Sequence, residues 1–300
     1  MKIHKFTKEA ARIAEPYRIE KGKKFRLKDW DAADIGPIDS KEEADKLLEH
    51  GTQLLNTLQE KLWAQDKWAL MIILQGMDAA GKDGVVSHVM SGVNPQGCDV
   101  WSFKQPSTEE LDHEYLWRAH ARVPSRGKIG IFNRSYYEEV LVVRVHEQLL
   151  AAEHAPEALK NKHLWEQRFE DINAFERYLT HNGVVVRKFF LHLSKSEQKK
   201  RFLARLDDPQ KNWKFSMADI QERGYWKDYQ QAYEELIEET ATKHAPWYIV
   251  PADNKWYSRL VVSAAIVETL DSLRLEFPVV DKAKKKELEK VRKLLVSGKE

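Results

Sequence analysis

The longest apolar run in the chain, Ala69-Leu-Met-Ile-Ile-Leu74, follows Trp68 and stops just short of Gly76. A strand with one wet face alternates apolar and polar residues. An unbroken run of this kind suits a strand covered on both faces, as in a parallel sheet. Ahead of it, Leu47, Leu48, Leu54, Leu55, Leu58 and Leu62 recur at helical spacing, and Ser40 with Glu43 forms a capping-box signature at the helix start. Further strands are expected at Asp99–Phe103, Lys128–Phe132, Val184–Leu193 and Trp247–Val250. Helical patterns separate them, at about 82–93, 108–122, 136–149, 156–181, 195–206, 218–244 and 256–276. This alternation predicts βαβ units wound into one parallel sheet of five strands.

No repeat or low-complexity linker divides the body, expected over residues 41–280. Residues 1–40 are polar and basic, with Pro16 and Pro37, and are expected to lie on that body as an arm. The tail, 281–300, is Lys-rich and carries Leu288, Val291, Leu294 and Leu295 at helical spacing; a peripheral helix is expected there.

Composition narrows the chemistry. Lys and Arg number 49 against 47 Asp and Glu, a formal charge of +2, so an anionic partner must be met by a local patch and not by bulk charge. The lone cysteine, Cys98, rules out an internal disulfide and a Cys-rich zinc site. The opening MKIHKFTKEAARIAEP has no apolar signal region, and the run 69–74 is too short to span a bilayer. A soluble, cytoplasmic protein without a membrane partner is expected. The eleven histidines show no H-E-x-x-H spacing, which argues against a zinc hydrolase. Trp213, Trp226 and Trp247 lie among charges, yet packing is the more ordinary use of such residues than base stacking, and no nucleic-acid partner is expected.

Directly after the buried strand, Gly76-Met-Asp78-Ala79-Ala80-Gly81-Lys82 fits G-x-x-x-x-G-K and leads into a helix. That context marks a phosphate loop: the glycines let backbone N–H groups wrap a phosphate chain, the helix N-terminus adds partial positive charge, and Lys82 adds a full one. Two residues are unusual. Asp83 stands where a Ser or Thr would ligate magnesium, and Asp78 places a carboxylate inside an anion cradle. Such a carboxylate either holds a divalent cation, orients an attacking phosphate oxygen, or is a solvated loop residue.

A second motif, Ile129-Gly-Ile-Phe-Asn133-Arg134-Ser135, ends a strand at its carboxyl edge, where ligands of open α/β sheets sit. Asn133 occupies the position at which many phosphate-loop enzymes hold magnesium with Asp. Its amide is a weaker ligand, which leaves Asp78 and Glu138 as the candidate metal carboxylates. Arg134 either clamps a phosphate or forms an i,i+4 ion pair with Glu138. Glu139 and Arg144 read as solvent-facing. In KSEQKKRFLARLDDPQKNWK, 195–214, Arg201 and Arg205 share a helix face and Lys211 and Lys214 follow. The segment about 195–225 is either a lid carrying phosphate-binding cations or a solvated basic helix.

Together these residues resemble the family-2 polyphosphate kinases, through GMDAAGKDG (76–84), VNPQGCDVWSFKQPSTEEL (93–111), YLWRAHARVPSRGKIGIFNRSYYEEVLVVRV (115–145), FFLHLSKSEQKKRFLARLDDPQKNWKFS (189–216) and APWYIVPADNKWYSRL (245–260). The resemblance implies a three-layer α/β/α sandwich of the phosphate-loop, thymidylate-kinase-like kind with a helical lid. It also implies magnesium-dependent phosphoryl transfer between inorganic polyphosphate and a nucleotide, manganese being the alternative metal, with AMP, ADP and ATP as nucleotide partners and a homodimer or homotetramer as the assembly. By position, Asp78, Lys82, Asn133, Arg134 and Glu138 would form the catalytic set. Gly76, Ala79, Ala80, Gly81, Lys82, Asp83, Arg201, Arg205, Lys211 and Lys214 would hold polyphosphate. Asn133, Arg134, Glu138 and Arg144 would meet the nucleotide. FNRSYYEEVLVVRV resembles the class III branch, whose members accept both AMP and ADP. Two readings stand beside it: an ATP-dependent nucleotide kinase of the same fold, and a non-catalytic polyphosphate-binding protein.

Overall fold

All seven residues of the strand Ala69–Gln75 are buried, and its apolar side chains divide between two cores. Leu70, Ile72 and Leu74 enter one; Ala69, Met71 and Ile73 enter the other. The computed structural model, which describes residues 3–210, 212 and 215–298, therefore has a sheet covered on both sides. Its strands are β1 (Arg18–Ile19), β2 (Ala69–Gln75), β3 (Cys98–Ser102), β4 (Ile129–Asn133), β5 (Val184–His192) and β6 (Trp247–Pro251), in the spatial order β1-β6-β5-β2-β4-β3. The expected five strands pair in parallel. A sixth corrects the expectation: β1, from the arm, runs antiparallel to β6 with Arg18 opposite Tyr248 and Ile19 opposite Trp247. Two residues are too short to carry an alternating pattern, so nothing in the sequence marks this strand.

The helices are α1 (Ile3–Ala14), α2 (Lys41–Gln65), α3 (Lys82–Val89), α4 (Thr108–Asp112), α5 (Trp117–His120), α6 (Val142–Val145), α7 (Leu164–His181), α8 (Lys195–Leu206), α9 (Met217–Gly224), α10 (Trp226–Thr240), α11 (Lys255–Ser272) and α12 (Lys282–Ser297). One layer holds α1, α2, α3 and α11, whose Ala10, Ile13, Leu55, Leu58, Leu62, Val85, Val261 and Ala265 join the first core. The other holds α5, α7 and α10, with Ala119, Phe169, Ile172, Tyr233 and Leu236 in the second. At the start of α2, Ser40 accepts from the Glu43 amide at 3.2 Å, while Glu43 reaches the Asp39 amide in place of that of Ser40.

Three expected helices are broken, and the one expected over 156–181 begins only at Leu164. Residues 218–244 divide at Tyr225 into α9 and α10. Residues 108–122 form two short helices, α4 and α5: the chain turns extended at His113, Glu114 accepts from the Leu116 amide at 2.7 Å, and Arg118 reaches inward to the Lys104 carbonyl at 2.8 Å. Residues 136–149 run as three-residue turns around α6, with Tyr136, Tyr137, Glu139, Val140, Leu141 and Val143 all buried. A segment enclosed on several sides bends to serve those partners, not the apolar period of a one-faced helix. Lys211 and Lys214 lie outside the described residues, as does Trp213. No helix among the described residues is long and apolar enough to cross a membrane.

Candidate active site

The carboxyl ends of β2 and β4 deliver the phosphate loop and the Asn133-Arg134 turn side by side. Ala79 and Gly81 adopt left-handed backbone, φ +63° and +108°, which curls the loop before α3 begins. Gly76 sits close against the end of β5, where an added Cβ would stand 3.0 Å from the Leu191 carbonyl. Lys82 opens α3, is 9% exposed, and donates to the Gly76 carbonyl at 2.6 Å and the Met77 carbonyl at 3.3 Å. Burial, and behind it the charge of Arg134, lowers its pKa to about 8 against the opposing charges of Asp78, Glu138 and Asp83.

Arg134 also takes left-handed backbone, φ +63°, and its amide donates to the Leu74 carbonyl at 3.0 Å, tying the turn to β2. Its guanidinium spans two carboxylates: Nη2 donates to Asp78 Oδ1 at 2.8 Å and Nη1 to Glu138 Oε2 at 3.1 Å. The expected i,i+4 pair is therefore present, and the same cation reaches into the loop. The Glu138 charge and, behind it, that of Asp78 raise the pKa of Arg134 against the opposing effect of burial. Asn133 donates Nδ2–H to Asp83 at 2.7 Å, so the two residues that depart from the usual magnesium-binding pattern are partners of each other. Asp78, Lys82, Asp83, Asn133, Arg134 and Glu138 thus form one cluster.

The basic segment behaves otherwise. Arg201 is expected to share a lid face with Arg205, yet it is 5% exposed and turned onto backbone: Nη1 donates to the Ala79 and Ala80 carbonyls at 2.9 and 3.1 Å, and Nη2 to the Ala252 and Asp253 carbonyls at 2.5 and 3.0 Å. Arg205 stays half-exposed beside Phe202. Arg144 pairs with Glu235 at 2.5 Å and stacks over Trp165, engaged away from the loop.

Sequence reasoning misses two buried networks behind the turn. Glu139, expected in solvent, lies between Arg118 at 3.3 Å and Arg168 at 3.9 Å, with burial raising its pKa to about 7 against both cations. Lys188, fully buried in β5, donates to Glu176 at 2.7 Å, the Thr240 carbonyl at 2.7 Å and Tyr137 at 3.0 Å; Tyr136 and Tyr137 both donate to Glu176. Burial lowers the Lys188 pKa and the Glu176 charge opposes it. The run Val-Val-Val-Arg-Lys-Phe-Phe offers a faint signal: a charge inside a strand expected to be covered on both faces needs a buried counter-charge.

For a divalent metal, Asp78 and Glu138 supply oxygen donors on either side of one guanidinium, and no group of three or more His, Cys, Asp or Glu forms a metal cluster among the described residues. Magnesium characteristically binds one or two carboxylates and completes its shell with waters and substrate phosphates. The residues fit that role. Kinases sharing these motifs are in general divalent-metal dependent.

Comparison with known proteins agrees with the resemblance. The model of the family Polyphosphate kinase 2 matches residues 38–278. The ADP-polyphosphate phosphotransferase of Rhodopseudomonas palustris is 50% identical over 281 residues, covering 93% of this chain and 97% of its own. The AMP/ADP-polyphosphate phosphotransferase of Meiothermus ruber is 43% identical over 271 residues, with 90% and 97% covered. The crystal structure of polyphosphate kinase 2 from Arthrobacter aurescens superimposes with a TM-score of 0.83 at 41% identity, covering 91% of this chain and 95% of that one. Agreement in both sequence and backbone over more than nine-tenths of each chain means that this protein belongs to the polyphosphate kinase 2 family.

Proposed function

We propose that this protein transfers the terminal phosphoryl group of inorganic polyphosphate to AMP and ADP, reversibly and with magnesium. The observation that carries the reading is the Asp78 carboxylate held inside the phosphate loop by Arg134 at 2.8 Å. A protein that only tethered polyanions would gain nothing from a negative charge in its anion cradle.

In this reading the loop amides and Lys82 hold the donor's terminal phosphates, and the turn bearing Asn133, Arg134 and Glu138 holds the acceptor's phosphate. The acceptor oxygen is already ionised near neutral pH, so the residues need not remove a proton from it; they align it and offset repulsion between two anions. Arg134 exchanges part of its bonding to Asp78 and Glu138 for phosphate oxygens, in the planar geometry that suits a guanidinium. Magnesium held by Asp78 and Glu138 would neutralise charge on the transferring group. Arg205, half-exposed on α8, supplies a cation to the chain of phosphates.

The test mixes purified protein with magnesium, polyphosphate and either AMP or ADP, without ATP, and follows ADP and ATP. Product with both acceptors is expected. Absence of product with both acceptors overturns the reading, and retained polyphosphate binding alongside that absence would leave a tether; product with one acceptor alone overturns the dual-acceptor part.

A further inference from the structure

Helix α8 reaches back over the phosphate loop with two buried polar side chains. Gln198, 1% exposed, donates Nε2–H to the Asp78 carbonyl at 3.0 Å, and Arg223 of α9 fixes that amide by donating to its Oε1 at 2.7 Å. Arg201 takes the next two carbonyls, Ala79 and Ala80, and anchors them to the end of β6 through Ala252 and Asp253. Its Nε donates to Glu197 at 3.0 Å. A guanidinium has five N–H groups and these bonds engage all of them, leaving none to clamp a phosphate.

We propose that Gln198 and Arg201 are positioning residues: they draw three consecutive loop carbonyls, Asp78 to Ala80, toward α8, so that the loop's amides face the substrate and Asp78 keeps its place against Arg134. The backbone requires such support. Ala79 sits at φ +63°, a region that a residue with a Cβ occupies only when its surroundings over-determine it. Carbonyls gathered on one side of a tight loop leave its N–H groups to form the anion nest on the other, apart from that of Ala80, which donates to the Met77 carbonyl at 3.1 Å. Arg201 thus acts on polyphosphate only through the loop, while Arg205, half-exposed one turn further on, retains donors for an anion.

This inference rests on the loop being the polyphosphate site, and two readouts separate the failures. Arg201→Lys keeps the charge and loses most of the five bonds; Gln198→Leu changes no charge. Both are expected to lower kcat with AMP and ADP alike by about 100-fold, the cost of ångström-scale misplacement. Both should leave the slope of log Kd for polyphosphate against log salt unchanged. Arg205→Ala is expected to reduce that slope by about one. Independently of any turnover, amide hydrogen exchange across residues 76–84 should quicken about tenfold in both variants. Near-normal kcat in Arg201→Lys, a reduced salt slope in Arg201→Ala, or unchanged exchange in the loop would overturn the proposal. Loss of turnover in the parent protein would instead overturn the assignment of function.

Discussion

The guanidinium of Arg134 donates to the Asp78 carboxylate at 2.8 Å, across 56 residues of sequence, while its other terminal nitrogen holds Glu138 at 3.1 Å. Two carboxylates otherwise facing each other are kept together by one planar cation. Lysine carries the same charge at a point and reaches one of them. Arg134→Lys is therefore expected to lower kcat by about 100-fold, on the scale of removing one preorganised electrostatic contact. Initial rates with saturating AMP check it; a rate within about threefold of the parent would mean that charge alone suffices.

Asp78→Asn keeps the shape of the side chain and removes its charge. Turnover is expected to fall by at least about 100-fold. Polyphosphate should bind as well as before or better, because a repulsive group has left the cradle. Single-turnover rates and a direct binding titration separate the two effects. Unchanged turnover would take Asp78 out of the mechanism.

Lys82 sets a pH dependence of known sign. Its pKa stands lowered, at about 8, because the ammonium is buried beside Arg134. A polyphosphate chain beside it favours the charged form and raises that pKa, so binding takes up a proton wherever the free protein's Lys82 is neutral. Affinity should be flat below about pH 7 and weaken as pH rises through 8, by up to tenfold per unit. Titrations from pH 6.5 to 9.5 test this against Lys82→Arg, whose charge persists and whose profile should stay flat. A profile in the parent as flat as in the variant would contradict the assignment.

The pair of Lys188 and Glu176 predicts an asymmetry in stability. Lys188→Met leaves a fully buried carboxylate with only two tyrosine hydroxyls, and should cost about 3–5 kcal/mol. Removing both charges in Lys188→Met with Glu176→Leu should cost less than the single change, since no ion is then stranded. Urea unfolding of the parent, both single variants and the double variant closes the cycle. A double variant as unstable as the sum of the two would show that the charges do not act as a pair.

How much of this could be read in advance depended on how far apart the interacting residues lie. The strand at 69–75, the loop at 76–82 and the turn at 133–134 announce themselves through neighbours: an apolar run, glycines at fixed spacing, a strand end. Lys188 and Glu176 do not, because each is an ordinary charge in its own segment and only the packing of α7 on β5 makes them one group. Gln198 and Arg201 sit in a helix whose composition reads as solvated, and three loop carbonyls arriving from elsewhere turn them inward. Glu139 follows the same rule, buried by Arg118 and Arg168 from two other helices. The breaks inside 108–122 and 136–149 were illegible for a related reason: periodicity describes a segment with one buried side, and these are enclosed on several.

The pairing of β1 with β6 has a consequence during synthesis. Arg18 and Ile19 leave the ribosome more than two hundred residues before their partners Tyr248 and Trp247. The strand β1 must wait, unpaired, until β6 has been translated, and its docking then covers the start of β6. A nascent chain halted before residue 247 should carry the segment around Arg18 and Ile19 in a form that proteases cut readily, and the finished chain should not.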